Sequence, residues 1–369
     1  MEARTSAEAS TSAPRRMVEQ KRRSFVGERV WILWIIQPSV SGLPAARDFF
    51  SKEATMKVLV ANVPQRRELE PLSNGVELVA EPDAEVEFVV LGPELARGAR
   101  SLFKRLPNLR VVQSTSAGVD SLLPLVPEGV TLCGASGAYD IAVSEWVVAM
   151  LLALGWHLPQ FYELQQRAEW DSNAGDWIST GPSSIGRVDD LDGTTVLVFG
   201  HGSIGRAVAA RLAPFGVHTI GIARHARDDA EAPEALPRLL PEADAVVLLL
   251  PLTPETKGIV DAHFLARMKE GALLINAARG AIVDTDALVD ALRAGHIRAA
   301  LDVTDPEPLP PEHPLWQAPN LIITPHIAGS VTRWRNRAYR LAGEQLRRYV
   351  AGEPLLNVSV GGQPGVLEK

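Results

Sequence analysis

One stretch constrains this chain more than any other. Val196–Leu212 reads VLVFGHGSIGRAVAARL. Val196–Phe199 is a short apolar run of the kind that forms a buried strand. Gly200, Gly202 and Gly205 follow at once in G-x-G-x-x-G spacing, and Ala207, Val208, Ala210, Arg211 and Leu212 continue with helical apolar periodicity. In this order each glycine has a physical task. Gly200 permits a tight turn, Gly202 lets the main chain approach a phosphate, and Gly205 lets helix and strand pack closely. The first-turn amides, at Ser203 and Ile204, are then free to meet an anion. An ordinary βα turn shares the spacing, but strand before and helix after favour a dinucleotide pyrophosphate.

A chain of 369 residues is long enough for two domains. With 46% hydrophobic and 22% charged residues it can build an ordinary core. The net charge of −7 argues against nucleic acid or an anionic membrane as the main partner. The single cysteine, Cys133, excludes an intrachain disulfide framework and suits a cytoplasmic location. It sits in an apolar run and reads as core. Residues 1–55 are rich in Ser, Ala, Arg and Glu without sustained periodicity. They read as a disordered extension or a mis-assigned start, with the folded part beginning near Met56. Val30–Ile36 is far too short to span a bilayer, and Ser41–Ala46 is a poor signal-cleavage context.

From Met56 onward strands and helices alternate, which predicts parallel sheets. Strands are expected at 57–63, 76–80, 86–91 and 109–113, with a helix at 94–106 stopped by Pro107. Ser114–Asp120 follows the fourth strand. There the amides of Gly118 and Val119 either face a small anion or form a plain turn. Ile141–Leu154 reads as a buried helix whose Ser144 and Glu145 pack against another domain or subunit. Residues 160–190 read as a helix and an exposed arm, and His157 as structural.

Beyond the glycine motif, strands are expected at 217–223, 243–250, 272–277, 299–303 and 321–324, and helices at 261–268, 285–294 and 331–350. The last should return to the first domain. At the end of the second strand of the nucleotide unit an acidic residue would bind the adenosine ribose. Arg224 stands there, with Arg227 nearby, which favours NADP over NAD; Asp228 and Asp229 keep NAD open. Three ionisable residues follow three consecutive strands: Arg279, Glu307 and His326. In a parallel sheet those ends share one edge with the glycine loop. His326 can pass a proton near neutral pH, Glu307 would favour its imidazolium, and the Arg279 fork suits a carboxylate beside a carbonyl. Together they describe reduction of a 2-keto acid. No Cys or His cluster has metal-ligand spacing, so no metal is expected.

The segments GHGSIG, PLTPET, INAARGAIVDTDAL, LDVTDPEPLP with HPLW, and TPHIAG, preceded by SAGVD, closely resemble the D-isomer specific 2-hydroxyacid dehydrogenase family. The likeness runs from about Met56 to Asn357. It implies an α/β fold of two doubly wound parallel-sheet domains. A flavodoxin-like substrate domain would use residues 56–154 and 331–369, and an inserted Rossmann-like NAD(P)-binding domain residues 155–330. It implies a homodimer held by the inserted domain and the arm before it. By the same resemblance Arg279 binds substrate, Glu307 pairs with the catalytic histidine, and His326 is the acid/base. Gly118 and Val119 would hold the substrate carboxylate. Pro251, Thr253, Ala278, Asp302 and Gly329 would contact or flank the cofactor, with Asp302 facing the nicotinamide amide.

The LDVTDPEPLP segment is most similar to that of glyoxylate/hydroxypyruvate reductases. A 3-phosphoglycerate dehydrogenase would need basic residues near the substrate phosphate. The loops around Ser116 show none, and Arg97, Arg100 and Lys104 read as a solvated helix face. A non-enzymatic dinucleotide-sensing corepressor is the third alternative; its marks would be tolerance of loss of the Arg279–Glu307–His326 triad and a conspicuous partner groove, and the triad is complete here.

Overall fold

The computed structural model describes residues 55–72, 74–174, 185 and 188–361. All described residues belong to one compact unit. The expected N-terminal extension (except Thr55) and most of the expected arm before the glycine motif lie outside the described residues.

Five parallel strands open the fold: β1 Met56–Val60, β2 Val76–Val79, β3 Val86–Leu91, β4 Val111–Ser114 and β5 Thr131–Cys133. Six more follow in the middle of the chain: β6 Thr195–Phe199, β7 His218–Ile222, β8 Ala245–Leu248, β9 Leu273–Asn276, β10 Arg298–Leu301 and β11 Leu321–Ile323. A last strand, β12 Val358–Val360, returns to pair antiparallel with β5. The first sheet has the order β12-β5-β4-β3-β1-β2 and the second β11-β10-β9-β8-β6-β7. Setting β12 aside, the first sheet has the flavodoxin-like order 2-1-3-4-5. The second is a six-stranded parallel sheet whose order reverses between β6 and β8. The fold class is therefore α/β with two doubly wound sheets, as expected. Strands buried on both faces need continuous apolar runs, and β8 (AVVL) and β9 (LLIN) are buried at every position.

Two short helices, α1 Pro93–Ala96 and α2 Ala99–Phe103, replace the single helix expected over 94–106. Gly98 sits between them at φ −110°, ψ 17°, outside helical geometry. The low helix propensity of glycine makes the break cheap. Strand β5 was not expected; three residues are too few to carry a period. Next come α3 Asp140–Gly155 and α4 Leu158–Gln166, bent from each other by 63°. Among the described residues no single helix is long and apolar enough to cross a membrane. Although the expected domain boundary at 154 places α3 with the first sheet, it packs on the second. Val143, Val147, Leu151 and Leu154 join Val196, Val198, Val247, Ile275 and Ala300 in one core. Ser144 is buried, and its hydroxyl returns to the carbonyl of Ile141 at 3.1 Å. His157 is buried too and lies 3.1 Å from Arg298, the structural placement expected of it.

The glycine motif opens α5 Ser203–Leu212, and α6 Leu236–Leu239, α7 Ala262–Arg267 and α8 Thr285–Arg293 complete the second layer. Asp261 and Asp284 cap α7 and α8 through their side chains, to Phe264 N and Ala287 N. The final helix, α9 Trp334–Ala351, crosses back to the first sheet as expected. Tyr339, Ala342 and Leu346 bury against Val58, Val60, Phe88 and Val90. A buried amide pair fixes this return: Gln345 donates to Gln113 Oε1 at 3.0 Å and exchanges hydrogen bonds with the backbone of Leu356 at 2.8 Å. Cys133 lies in the same core, fully buried, where desolvation pushes its thiol up to about 11.

Candidate active site

The carboxyl ends of both sheets open onto one cleft of about 910 Å³, within the range of small-molecule sites. The first sheet contributes the loop after β4, with Gly118, Val119 and Asp120. The second contributes the glycine loop and the loops after β8, β9, β10 and β11.

Each glycine of the motif sits as its task demands. Gly200 has φ +106°, and a Cβ there would fall 2.4 Å from the Leu249 carbonyl carbon. A Cβ on Gly205 would meet the Gly200 carbonyl oxygen at 2.7 Å, so helix and strand touch. Gly202 faces open space. It heads α5 without a side-chain cap, which leaves the helix's first amides for an anion. These residues fit a dinucleotide pyrophosphate. The Ser203 hydroxyl is engaged by the Asp140 carboxylate at the start of α3, so Ser203 has its backbone amide to offer. Pro251 and Thr253 line the cleft from a loop that Thr256 closes, accepting from Thr253 N at 2.8 Å and donating to Pro251 O at 2.7 Å.

The two arginines beyond β7 differ. Arg227 is tied to Asp229 at 2.5 Å and donates to the His201 carbonyl. Asp229 also lies 3.5 Å from His201, whose buried ring covers Gly221. Burial pushes that ring below the ordinary histidine value; Asp229 opposes the shift and Arg227 and Arg206 add to it. Arg224 is exposed and makes no ion pair with a described residue. A hydrogen bond from Thr253 and, in lesser part, the charge of Arg224 hold Glu255 below the ordinary glutamate range.

After β9, Asn276 closes the turn that presents Arg279. It accepts from Ala278 N and donates to Arg279 O, both at 3.0 Å. Ala278 is buried at the cleft wall. The Arg279 guanidinium reaches across to Asp120, with Nη2 at 2.8 Å from Oδ1 and Nε at 3.2 and 3.3 Å from the two oxygens. Burial works to raise the Asp120 carboxyl, but Arg279, and to a smaller extent His326, overrule it and hold it below the usual aspartate range. A Cβ on Gly118 would fall 1.7 Å from Arg279 Nη2, so the guanidinium rests on the Gly118 backbone. The amides of Gly118 and Val119 donate to no described residue, which leaves two donors beside that cation.

After β11, His326 adopts φ +54° and its Nδ1 lies 2.6 Å from Glu307 Oε1. Both side chains remain accessible, at 49% and 41% exposure. Asp302 holds the loop that carries His326. Its carboxylate accepts from the Thr324 hydroxyl at 2.6 Å, Ile327 N at 2.8 Å and Ala328 N at 2.9 Å, while its carbonyl accepts His326 N at 2.7 Å. A Cβ on Gly329 would meet the Tyr139 ring at 2.8 Å, so this glycine lets Tyr139 pack on the loop.

Residues 148–328 match the D-isomer specific 2-hydroxyacid dehydrogenase family, NAD binding domain. A glyoxylate reductase from Thermofilum pendens is 36% identical over 258 residues, covering 67% of this chain and 74% of that one. The chain belongs to the D-isomer specific 2-hydroxyacid dehydrogenase family. It is an NAD(P)-dependent oxidoreductase. Solved structures agree. A D-isomer specific 2-hydroxyacid dehydrogenase from Xanthobacter autotrophicus, in complex with NADPH and MES, matches with TM-score 0.69 at 31% identity over 83% of this chain and 98% of that one. An NADPH-dependent glyoxylate/hydroxypyruvate reductase from Sinorhizobium meliloti, in complex with NADP and sulfate, matches with TM-score 0.69 at 27% identity over 82% and 98%.

The structure thus brings Arg279, His326, Gly118, Val119, Asp302 and the glycine loop of this dehydrogenase to one cleft, with Glu307 behind His326; Arg224 is not among the lining residues. Sequence reasoning passed over Asp120, Asn276 and Tyr139. Asp120 stood in the SAGVD motif, and Asn276 at a strand end followed by a charged turn; both were visible signals. Tyr139 carried none.

Proposed function

We propose that this dehydrogenase reduces small 2-keto acids of the glyoxylate and hydroxypyruvate type to 2-hydroxy acids, with NADPH as preferred cofactor. One observation carries the reading: Arg279, on a loop of the second sheet, is seated on Gly118, on a loop of the first, beside two amides that donate to no described residue, in the cleft that His326 also lines. Backbone amides and a guanidinium fork together suit a carboxylate. When bound, the nicotinamide cofactor supplies the hydride. Gly200, Gly202 and the first amides of α5 hold its pyrophosphate, while Pro251, Thr253, Ala278, Asp302 and Gly329 flank it. Arg279 and the Gly118–Val119 amides orient the acid, and Arg279 polarises the adjacent carbonyl. His326 gives its proton to the carbonyl oxygen, and Glu307 at Nδ1 stabilises the protonated ring and fixes its orientation.

Arg279 is the one lysine or arginine lining the cleft among the described residues, which favours a small acid over a phosphorylated one. Preference for NADP rests on Arg224, an exposed cation beyond β7 with no ion pair to a described residue, while Asp229 is occupied by Arg227 and His201. The first sheet serves as substrate-binding region and the second as cofactor-binding region. The exposed apolar side chains Ile141 of α3, Trp156 of the turn that follows it, and Leu158 and Tyr162 of α4 are read as a homodimer face. A cytoplasmic location suits the lone, buried Cys133.

The direct test replaces the proton donor. His326→Ala lowers kcat by about two to four orders of magnitude, the range for a lost general acid, while NADPH binding by fluorescence titration stays as in the wild type. Near-normal turnover would remove His326 from this role.

A further inference from the structure

We infer that Asp120 is a positioning residue for this reaction, one that turns the free fork of Arg279 toward the substrate carboxylate. The inference rests on the function proposed above. A guanidinium has five N–H donors and two edges able to grip a carboxylate side by side. Asp120 takes the Nε–Nη2 edge, at 3.2, 3.3 and 2.8 Å. Nη1 gives one further hydrogen to the Ala278 carbonyl at 2.7 Å. One hydrogen then remains on each terminal nitrogen, and these two form the second fork. The Gly118 backbone under Nη2 sets the plane of the group, and the unpaired Gly118 and Val119 amides lie on the same loop.

Charge alone predicts the opposite role. Asp120 and Arg279 form a pair of zero net charge whose side chains are 33% and 29% exposed. If Arg279 served only as a point charge, Asp120 would weaken the site by cancelling it, and its removal would tighten binding of an anionic substrate. The geometry assigns Asp120 the other sign. An arginine side chain has many rotamers, and without Asp120 no other side chain holds this one among the described residues. Asp120 is also on the opposite sheet from Arg279, so the pair ties the two walls of the cleft in one register.

The test compares Asp120→Asn and Asp120→Glu with the wild type in NADPH-driven glyoxylate reduction, alone and combined with Arg279→Lys. Binding of oxamate, a carboxylate-bearing analogue, to the NADPH complex is measured alongside. Asp120→Asn raises the glyoxylate KM and weakens oxamate binding by about tenfold or more, the scale of a misplaced binding group. It also lowers kcat, because the same guanidinium polarises the carbonyl, and leaves NADPH affinity unaltered. Asp120→Glu recovers part of the loss. In the Arg279→Lys background the same change adds less than about twofold, because the two residues act as one unit. An unchanged or lower KM, or an equal loss with and without Arg279→Lys, overturns the Asp120 assignment while wild-type turnover leaves the function standing. A wild type that neither reduces nor binds such acids overturns both.

Discussion

Arg224 and Arg227 are near neighbours in sequence and do different work. Arg227 fastens the strand end to the glycine loop through Asp229 and the His201 carbonyl, while Arg224 is exposed and makes no ion pair with a described residue. The sequence showed two arginines and two aspartates on one loop, and nothing in their order said which would pair. His201 sits beside this pair, its ring over Gly221 and 3.5 Å from Asp229. The buried ring carries a pH signature. Its value in the unfolded chain is near 6.5, and in the fold it is lower. Between the two values the unfolded chain binds more protons, so stability is complete above about 6.5 and falls as pH drops below it. The fall in melting temperature from pH about 7.5 to about 5.5 is therefore smaller in His201→Asn than in the wild type; equal falls in both would contradict the placement of this ring.

At the scale of elements, the strand–glycine–helix unit and the three strand-end residues were legible because each rests on a local pattern: an apolar run, a spacing, a charge just past a strand. What was not legible depended on partners far away in sequence. Strands β5 and β12 are three residues each, and pairing with one another makes β12 a strand. Helix α3 is apolar on nearly every side, Asp140, Ser144 and Glu145 aside, so periodicity could not choose its sheet. The resemblance marks Asp302 as a cofactor contact, whereas its three loop hydrogen bonds, to residues after β11, depend on the pairing of β10 with β11. The glycine loop gives a sharp contrast between two substitutions. Gly200→Ala sets a Cβ against the Leu249 backbone at φ +106° and lowers the melting temperature, with a cost of about 1–3 kcal/mol. Gly202→Ala meets nothing in the protein. It keeps the wild-type melting temperature and weakens NADPH binding by about ten- to a hundredfold, the affinity equivalent of a clash of that size. The reverse pattern, a stable Gly200→Ala with full affinity loss only there, would contradict the cradle.

For the whole molecule, two sheets whose strand order reverses place their carboxyl ends on one cleft, where Gly118 and Val119 of one wall face Arg279, His326 and the glycine loop of the other; in the proposed function these serve as carboxylate receptor, proton donor and dinucleotide cradle. The exposed apolar side chains of α3, α4 and the turn between them underlie the proposed homodimer. Light scattering on the purified protein gives twice the mass of one chain, and Trp156→Glu on that face shifts it to the single-chain mass; a wild-type monomer would contradict the homodimer. The account as a whole is tested most directly by initial rates of glyoxylate, hydroxypyruvate and pyruvate reduction with NADPH and with NADH. It predicts fast turnover of glyoxylate and hydroxypyruvate, with kcat/KM for NADPH above that for NADH. Tight NADPH binding with no turnover of any of the three acids would contradict it.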